Sequence, residues 1–143
     1  MRQQVVTERD TQQVACEFCR RIVAANRWPV VVYLNGDLGA GKSVFARALL
    51  QELGVDEVIK SPTYTLVEQY NVRSDFTAAH LDLYRLNDPE ELYYIGFDDL
   101  VQTCDLMLVE WPEKGHGQLP KSTHNVIIEY QPGARDIQII ECH

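Results

Sequence analysis

Residues 30–50 read VVVYLNGDLGAGKSVFARALL, and this stretch constrains the fold more than any other. Residues 30–34 are a continuous apolar run rich in β-branched side chains, the pattern of a strand covered on both faces. Pro29 stands just before it, where a missing N–H does least harm. From Ser43 onward, Val44, Phe45, Ala48, Leu49 and Leu50 recur at a spacing that suits one face of a helix. Between strand and helix lies Gly36-x-x-x-x-Gly41-Lys42-Ser43, the pattern of a phosphate-binding P-loop. From average composition it arises by chance in a chain of this length in roughly one case in 200.

The residue types fit the chemistry. Glycines let the backbone close around a polyphosphate and point successive N–H groups at it. The helix that follows adds its positive N-terminal end. Lys42 supplies a fixed cation for the β- and γ-phosphates, and Ser43 a hydroxyl for Mg²⁺. The alternative is a glycine-rich strand-to-helix turn that binds nothing, which the strand-before, helix-after context disfavours.

The chain has 143 residues, so one domain spanning 1–143 is expected. There is no run of 18 apolar residues, and MRQQVVTERD lacks the apolar core of a signal peptide, so a cytoplasmic protein with no membrane association is expected. With 21 acidic residues against 13 basic ones, the net charge of −8 argues against strong non-specific nucleic-acid binding. Any role with RNA is expected to run through a protein partner. Cys16 and Cys19 form one C-x-x-C on a helical pattern, with no second pair at zinc spacing, so they read as reduced thiols on one helix face.

Around the central unit, residues 3–6 suggest a short edge strand, and Thr7 or Asp10 can cap a helix running to about Asn26. Gly54 is expected to stop the helix over 43–53. Ser61-Pro62 marks a turn, with Thr63 read as a switch threonine that reaches Mg²⁺ when a γ-phosphate is present. Residues 65–72 and 77–83 have strand character. The second strand sends His80 and Asp82 to one face, since side chains alternate with period two. Asp82 is a candidate for the carboxylate that holds the Mg²⁺ shell; His80 reads as a packed or hydrogen-bonded residue. Asp88-Pro89-Glu90-Glu91 looks like a helix start, with a further helical turn over 97–101. Residues 105–111, DLMLVEW, are a second buried strand ending in Glu110. A carboxylate there lies where open α/β sheets build their sites, and can bind Mg²⁺ or orient an attacking water. Trp111 fits either a core or a lid. Residues 124–130 and 136–141 alternate as strands joined through Gln131-Pro132-Gly133-Ala134, a hairpin signal. The expected fold is α/β with three layers: a P-loop NTPase fold with a mostly parallel central sheet and a C-terminal antiparallel hairpin.

GDLGAGKS at 36–43, SPTYTL at 61–66, HLDLYRL at 80–86, DPEEL at 88–92 and LVEWPEKG at 108–115 occur here in order. As an ordered set they resemble the TsaE (YjeE) family, bacterial P-loop ATPases of tRNA modification, over residues 5 to about 135. The resemblance implies a role in making N6-threonylcarbamoyladenosine, through binding to the TsaD–TsaB pair and an ATP hydrolysis that supports its turnover. It implies contact with tRNA only through that complex. It assigns the phosphates to Gly36, Asp37, Leu38, Gly39, Ala40, Gly41, Lys42 and Ser43, with Ser43 standing where the family more often has Thr. It makes Thr63 the switch residue, Asp82 the Walker B carboxylate and Glu110 a Mg²⁺- or water-orienting carboxylate. Through Asp10-Thr11-Gln12 and Arg135 it points to the adenine side, so Thr11 and Arg135 join the expected nucleotide contacts. ATP and Mg²⁺ are the implied cofactors. Lys42, Asp82 and Glu110 are the expected catalytic residues; Ser43, Thr63, Asp82 and Glu110 are the expected metal ligands. An arginine finger from Arg85 or from a partner is left open.

Other readings are weaker. A small-molecule kinase should carry an arginine-rich lid, whereas the nine arginines here are scattered. A GTPase should carry N-K-x-D, which the sequence lacks. A nucleotide-dependent interaction module, in which ATP binding rather than hydrolysis matters, shares every motif with the ATPase.

Overall fold

Successive residues of the strand β2 (Val30–Asn35) face two different cores. The computed structural model that reveals this describes residues 1–73, 75–115 and 117–142. Val30, Val32 and Leu34 pack against Val14, Phe18 and Ile22 of α1 (Glu8–Ala25) and Phe45 and Leu49 of α2 (Lys42–Leu53). Val31 and Tyr33 face a second cluster, built with Leu92 of α3 (Glu91–Tyr94) and Leu100 of α4 (Phe97–Thr103). Helices therefore cover both faces of the sheet, which gives the three layers expected and explains why β2 reads as an unbroken apolar run.

Seven strands form one sheet in the order β1-β7-β6-β2-β5-β4-β3. The remaining strands are β1 (Arg2–Val5), β3 (Val67–Arg73), β4 (Phe76–Asp82), β5 (Leu106–Glu110), β6 (His124–Gln131) and β7 (Ala134–Glu141). The expectation of a mostly parallel sheet needs correction. Of the six pairings, β2–β5, β2–β6 and β4–β5 are parallel, while β1–β7, β6–β7 and β3–β4 are antiparallel. The sheet is mixed, with a parallel centre and antiparallel flanks. The physical reason is linker length. Parallel neighbours need a long crossover, whereas the short links from β3 to β4 and from β6 to β7 can only make hairpins. The C-terminal hairpin and the edge position of β1 are as expected.

Thr7 caps α1 in a reciprocal capping box with Asp10: each side chain accepts the other residue's backbone N–H. Gly54, at φ 115°, closes α2. The expected helix start at Asp88 is corrected. The Asp88 carboxylate accepts the Glu90 N–H at 2.9 Å and its carbonyl accepts the Glu91 N–H at 2.9 Å, so Asp88 makes a turn. The helix proper is the four residues of α3, which end before Gly96. Cys16 is half-buried and Cys19 buried, both as free thiols, and burial pushes the Cys19 thiol up to about 12. Among the described residues no helix is long and apolar enough to cross a membrane.

Candidate functional site

The loop 36–41 joins the C-terminal end of β2 to the first turn of α2. A Cβ on Gly36 would lie 2.6 Å from the backbone oxygen of Ile128, so only glycine lets this segment run so close to β6. Gly41 occupies the N-cap of α2 at φ 117°, and no side chain caps this helix. Its first N–H groups are therefore open to an anion. The C-terminal hairpin holds the loop from outside: the Tyr130 hydroxyl donates to the Leu38 carbonyl at 3.2 Å, and Arg135 Nη2 to the Gly39 carbonyl at 3.3 Å. Thr11 is buried beside Gly41, with a hydroxyl that finds no partner among the described residues.

Sheet periodicity explains the other half of the site. Residues of β4 and β5 with even numbers face α2, as Leu106 and Leu108 do. The same face carries His80, Asp82 and Glu110 onward to the C-terminal end of the strands, where Asp82 and Glu110 stand in register. The first turn of α2 meets them. Ser43 Oγ lies 3.1 and 3.2 Å from the two Glu110 carboxylate oxygens and donates to that group. Glu110 Oε2 is 2.6 Å from His80 Nε2, and both residues are buried. The other ring nitrogen, His80 Nδ1, has no partner among the described residues. Asp82 accepts the Tyr84 N–H at 3.1 Å. Thr63 Oγ1, itself 2.7 Å from Ser61 Oγ, reaches Asp82 at 3.5 Å, the outer limit of a hydrogen bond.

Lys42 is the electrostatic centre. It is only 4% exposed; its ammonium donates to the Gly36 carbonyl at 2.5 Å and lies 3.5 Å from the centroid of the Trp111 ring. No described carboxylate lies within 4.0 Å of it. Burial pulls its pKa down, while Glu110, Glu113, Asp82 and Asp37 hold it up. Burial raises the Asp82 carboxyl above the usual range, against the Tyr84 N–H, and Glu110 pushes it the same way as burial.

Lys42, Ser43, Thr63, Asp82 and Glu110 therefore converge, with Trp111, on one cleft of about 500 Å³. Leu38, Gly39 and Gly41 also border it, whereas Ala40 turns into the core. Thr11 and Arg135 meet the glycine loop from its outer side. Asp10 is taken up by the α1 cap. Two contacts of the cluster were not read from the sequence: His80 with Glu110, and the Trp111 ring beneath Lys42. The sequence held a sign of the first. His80 lies two residues before Asp82 on the same strand face, and a buried glutamate at the neighbouring strand end requires a donor.

Residues 5–137 match the family model described as "Threonylcarbamoyl adenosine biosynthesis protein TsaE". The chain belongs to the TsaE family. A "tRNA threonylcarbamoyladenosine biosynthesis protein TsaE" of Haemophilus influenzae is 50% identical over 111 residues, which are 78% of this chain and 70% of that protein. A TsaE of the same description from Rickettsia felis is 46% identical over 84 residues, or 58% of this chain and 48% of that longer protein. Among solved structures, YdiB of Bacillus subtilis superposes with a TM-score of 0.76 at 26% identity, covering 100% of this chain and 86% of that one.

Proposed function

We propose that this TsaE-family chain is a Mg²⁺-dependent ATPase of tRNA threonylcarbamoyladenosine biosynthesis, which binds the TsaD–TsaB pair and supports its turnover through ATP binding and hydrolysis. The observation that carries this reading is Lys42: a buried ammonium with no carboxylate partner among the described residues, beside an uncapped helix N-terminus and a glycine loop. Phosphate oxygens are acceptors that this ammonium and the open helix N–H groups can share. The relatives' names supply the pathway.

The donor set also suits Mg²⁺. Among the described residues no group of three or more His, Cys, Asp or Glu could hold a metal alone. Mg²⁺ rarely requires one; it takes one or two carboxylates and completes its shell with phosphate and water. Ser43, Thr63, Asp82 and Glu110 would hold it. When bound, it neutralises charge on the β- and γ-phosphate oxygens. The chain's own residues do the rest. Amides of the loop 36–41 position the phosphates. Lys42 exchanges the Gly36 carbonyl for phosphate oxygen and keeps a fixed positive charge where negative charge develops. His80 fixes the Glu110 carboxylate, which orients the attacking water. Thr63 leaves or joins Asp82 according to nucleotide state, so the loop 61–66 changes the surface offered to a partner. The setting is the cytoplasm, with tRNA reached only through the complex, in keeping with a net charge of −8.

The test is Mg²⁺-dependent ATP hydrolysis by the purified chain, alone and with TsaD–TsaB, with GTP as control. ATP-selective hydrolysis stimulated by the pair supports the reading. ATP binding without hydrolysis in either condition replaces it with the interaction module. In Lys42→Ala, hydrolysis should fall by more than about 100-fold with the fold intact by circular dichroism; retained hydrolysis overturns the assignment.

A further inference from the structure

Of the charged residues lining the cleft, two are cations: Lys42 and Arg85. Lys42 belongs to the glycine loop. Arg85 borders the same cleft as Asp82 and Thr63, and no described carboxylate pairs with it. Its guanidinium instead lies 4.6 Å from the centroid of the Tyr64 ring.

The two parts of that contact are held very differently. The backbone under Arg85 is fixed. Asp82 N–H donates to the Leu66 carbonyl, Leu83 N–H to the Glu110 carbonyl and Leu86 N–H to the Leu83 carbonyl, at 3.0–3.1 Å. Leu83 and Leu86 are buried on either side. The Tyr64 ring is 82% exposed, and an exposed cation–π contact is weak. Tyr64 is also the neighbour of Thr63, whose hydroxyl reaches Asp82.

We propose that Arg85 is the chain's own arginine finger, held on the Tyr64 ring until Thr63 and Tyr64 move and then placed against the phosphoryl group being transferred. The inference rests on the ATPase reading. In that reaction the water oxygen bonds to the γ-phosphorus as the bond from that phosphorus to the β–γ bridging oxygen breaks. The electron pair remains on ADP, and the water proton ends on the phosphate released. Arg85 N–H groups donate to the oxygens on which charge builds, a stabilisation absent from the ground state.

The experiment compares wild type, Arg85→Ala and Arg85→Lys in the presence of TsaD–TsaB. It measures kcat, and separately the affinity for a fluorescent ATP analogue. In Arg85→Ala, kcat should fall roughly 10³-fold, while affinity stays within about threefold. Added guanidine should restore part of the rate. Arg85→Lys should lose at least about tenfold, because an ammonium cannot make the forked contacts; this variant carries the test if the alanine form does not fold. An unchanged kcat overturns the proposal, as does an affinity that falls in step with kcat. A wild type that binds ATP but hydrolyses none, with the pair present, overturns the ATPase reading and this inference together. That outcome is recognisable because it appears before any substitution is made.

Discussion

The two faces of the sheet are covered in unequal ways. On one, α1 and α2 run 18 and 12 residues, α1 opens with a reciprocal capping box and α2 closes on glycine. On the other, α3 and α4 have 4 and 7 residues, neither has a side-chain N-cap, and Tyr93 and Tyr94 stand in solvent. Helices so short hold their shape only through packing. The difference maps onto the cleft. Lys42, Ser43, His80, Asp82 and Glu110 project from the thickly covered face, where little can shift. Thr63, Tyr64 and Arg85 lie on segments whose anchors, Leu66, Leu83 and Leu86, belong to the thinner cluster. The buried charged groups and the exposed Thr63–Tyr64 segment thus come from different halves of the molecule.

Stability measurements can break this comparison. Phe45 is fully buried beneath α1, and Phe45→Ala should cost about 3–5 kcal/mol in urea unfolding. Leu92 is equally buried, but a four-residue helix can settle into the gap, so Leu92→Ala should cost about 2–3 kcal/mol. Equal losses would mean that the thin face is as rigid as the thick one. Asp82 gives the smallest effect. Its folded carboxyl is raised above 3.8, chiefly by burial. The stability this contributes is present below pH 3.8 and is lost as pH rises through the raised value, so at pH 7 the ionised Asp82 is a cost. Asp82→Asn should therefore raise the urea midpoint at pH 7, and the gain should shrink as pH falls toward 3.8. A midpoint that drops at pH 7 would show that the Tyr84 N–H and the cations outweigh burial.

Much of this was legible in the chain itself, because the central unit combines three local signals: an apolar run, glycines at fixed spacing and a helical stripe. The period-two alternation that places Asp82 and Glu110 is equally local. Strand direction was legible at the C-terminal hairpin, where a turn signal joins the two strands, but not across the whole sheet. An apolar run shows burial on both faces, but not which way its neighbours run, and β1 pairs with a strand from the far end of the chain. The short α3 misled because Asp88-Pro89-Glu90-Glu91 carries every sign of a helix start, while Gly96 follows too soon for a long helix. His80 is the packed, hydrogen-bonded residue its strand position suggested, but the identity of its partner was not legible. Only the third dimension brings Glu110 to it.

The pairing of β1 with β7 also has a consequence in time. Val5 pairs with Arg135, a residue made 130 positions later (135 − 5), and at ribosomal speeds that separation is a wait on the order of 10 s. The same Arg135 donates to the Gly39 carbonyl. A nascent chain thus has its glycine loop and both long helices outside the ribosome while the strand that closes the sheet edge and braces the loop is still unmade. Assembly of the loop's outer support waits until β7 has been made.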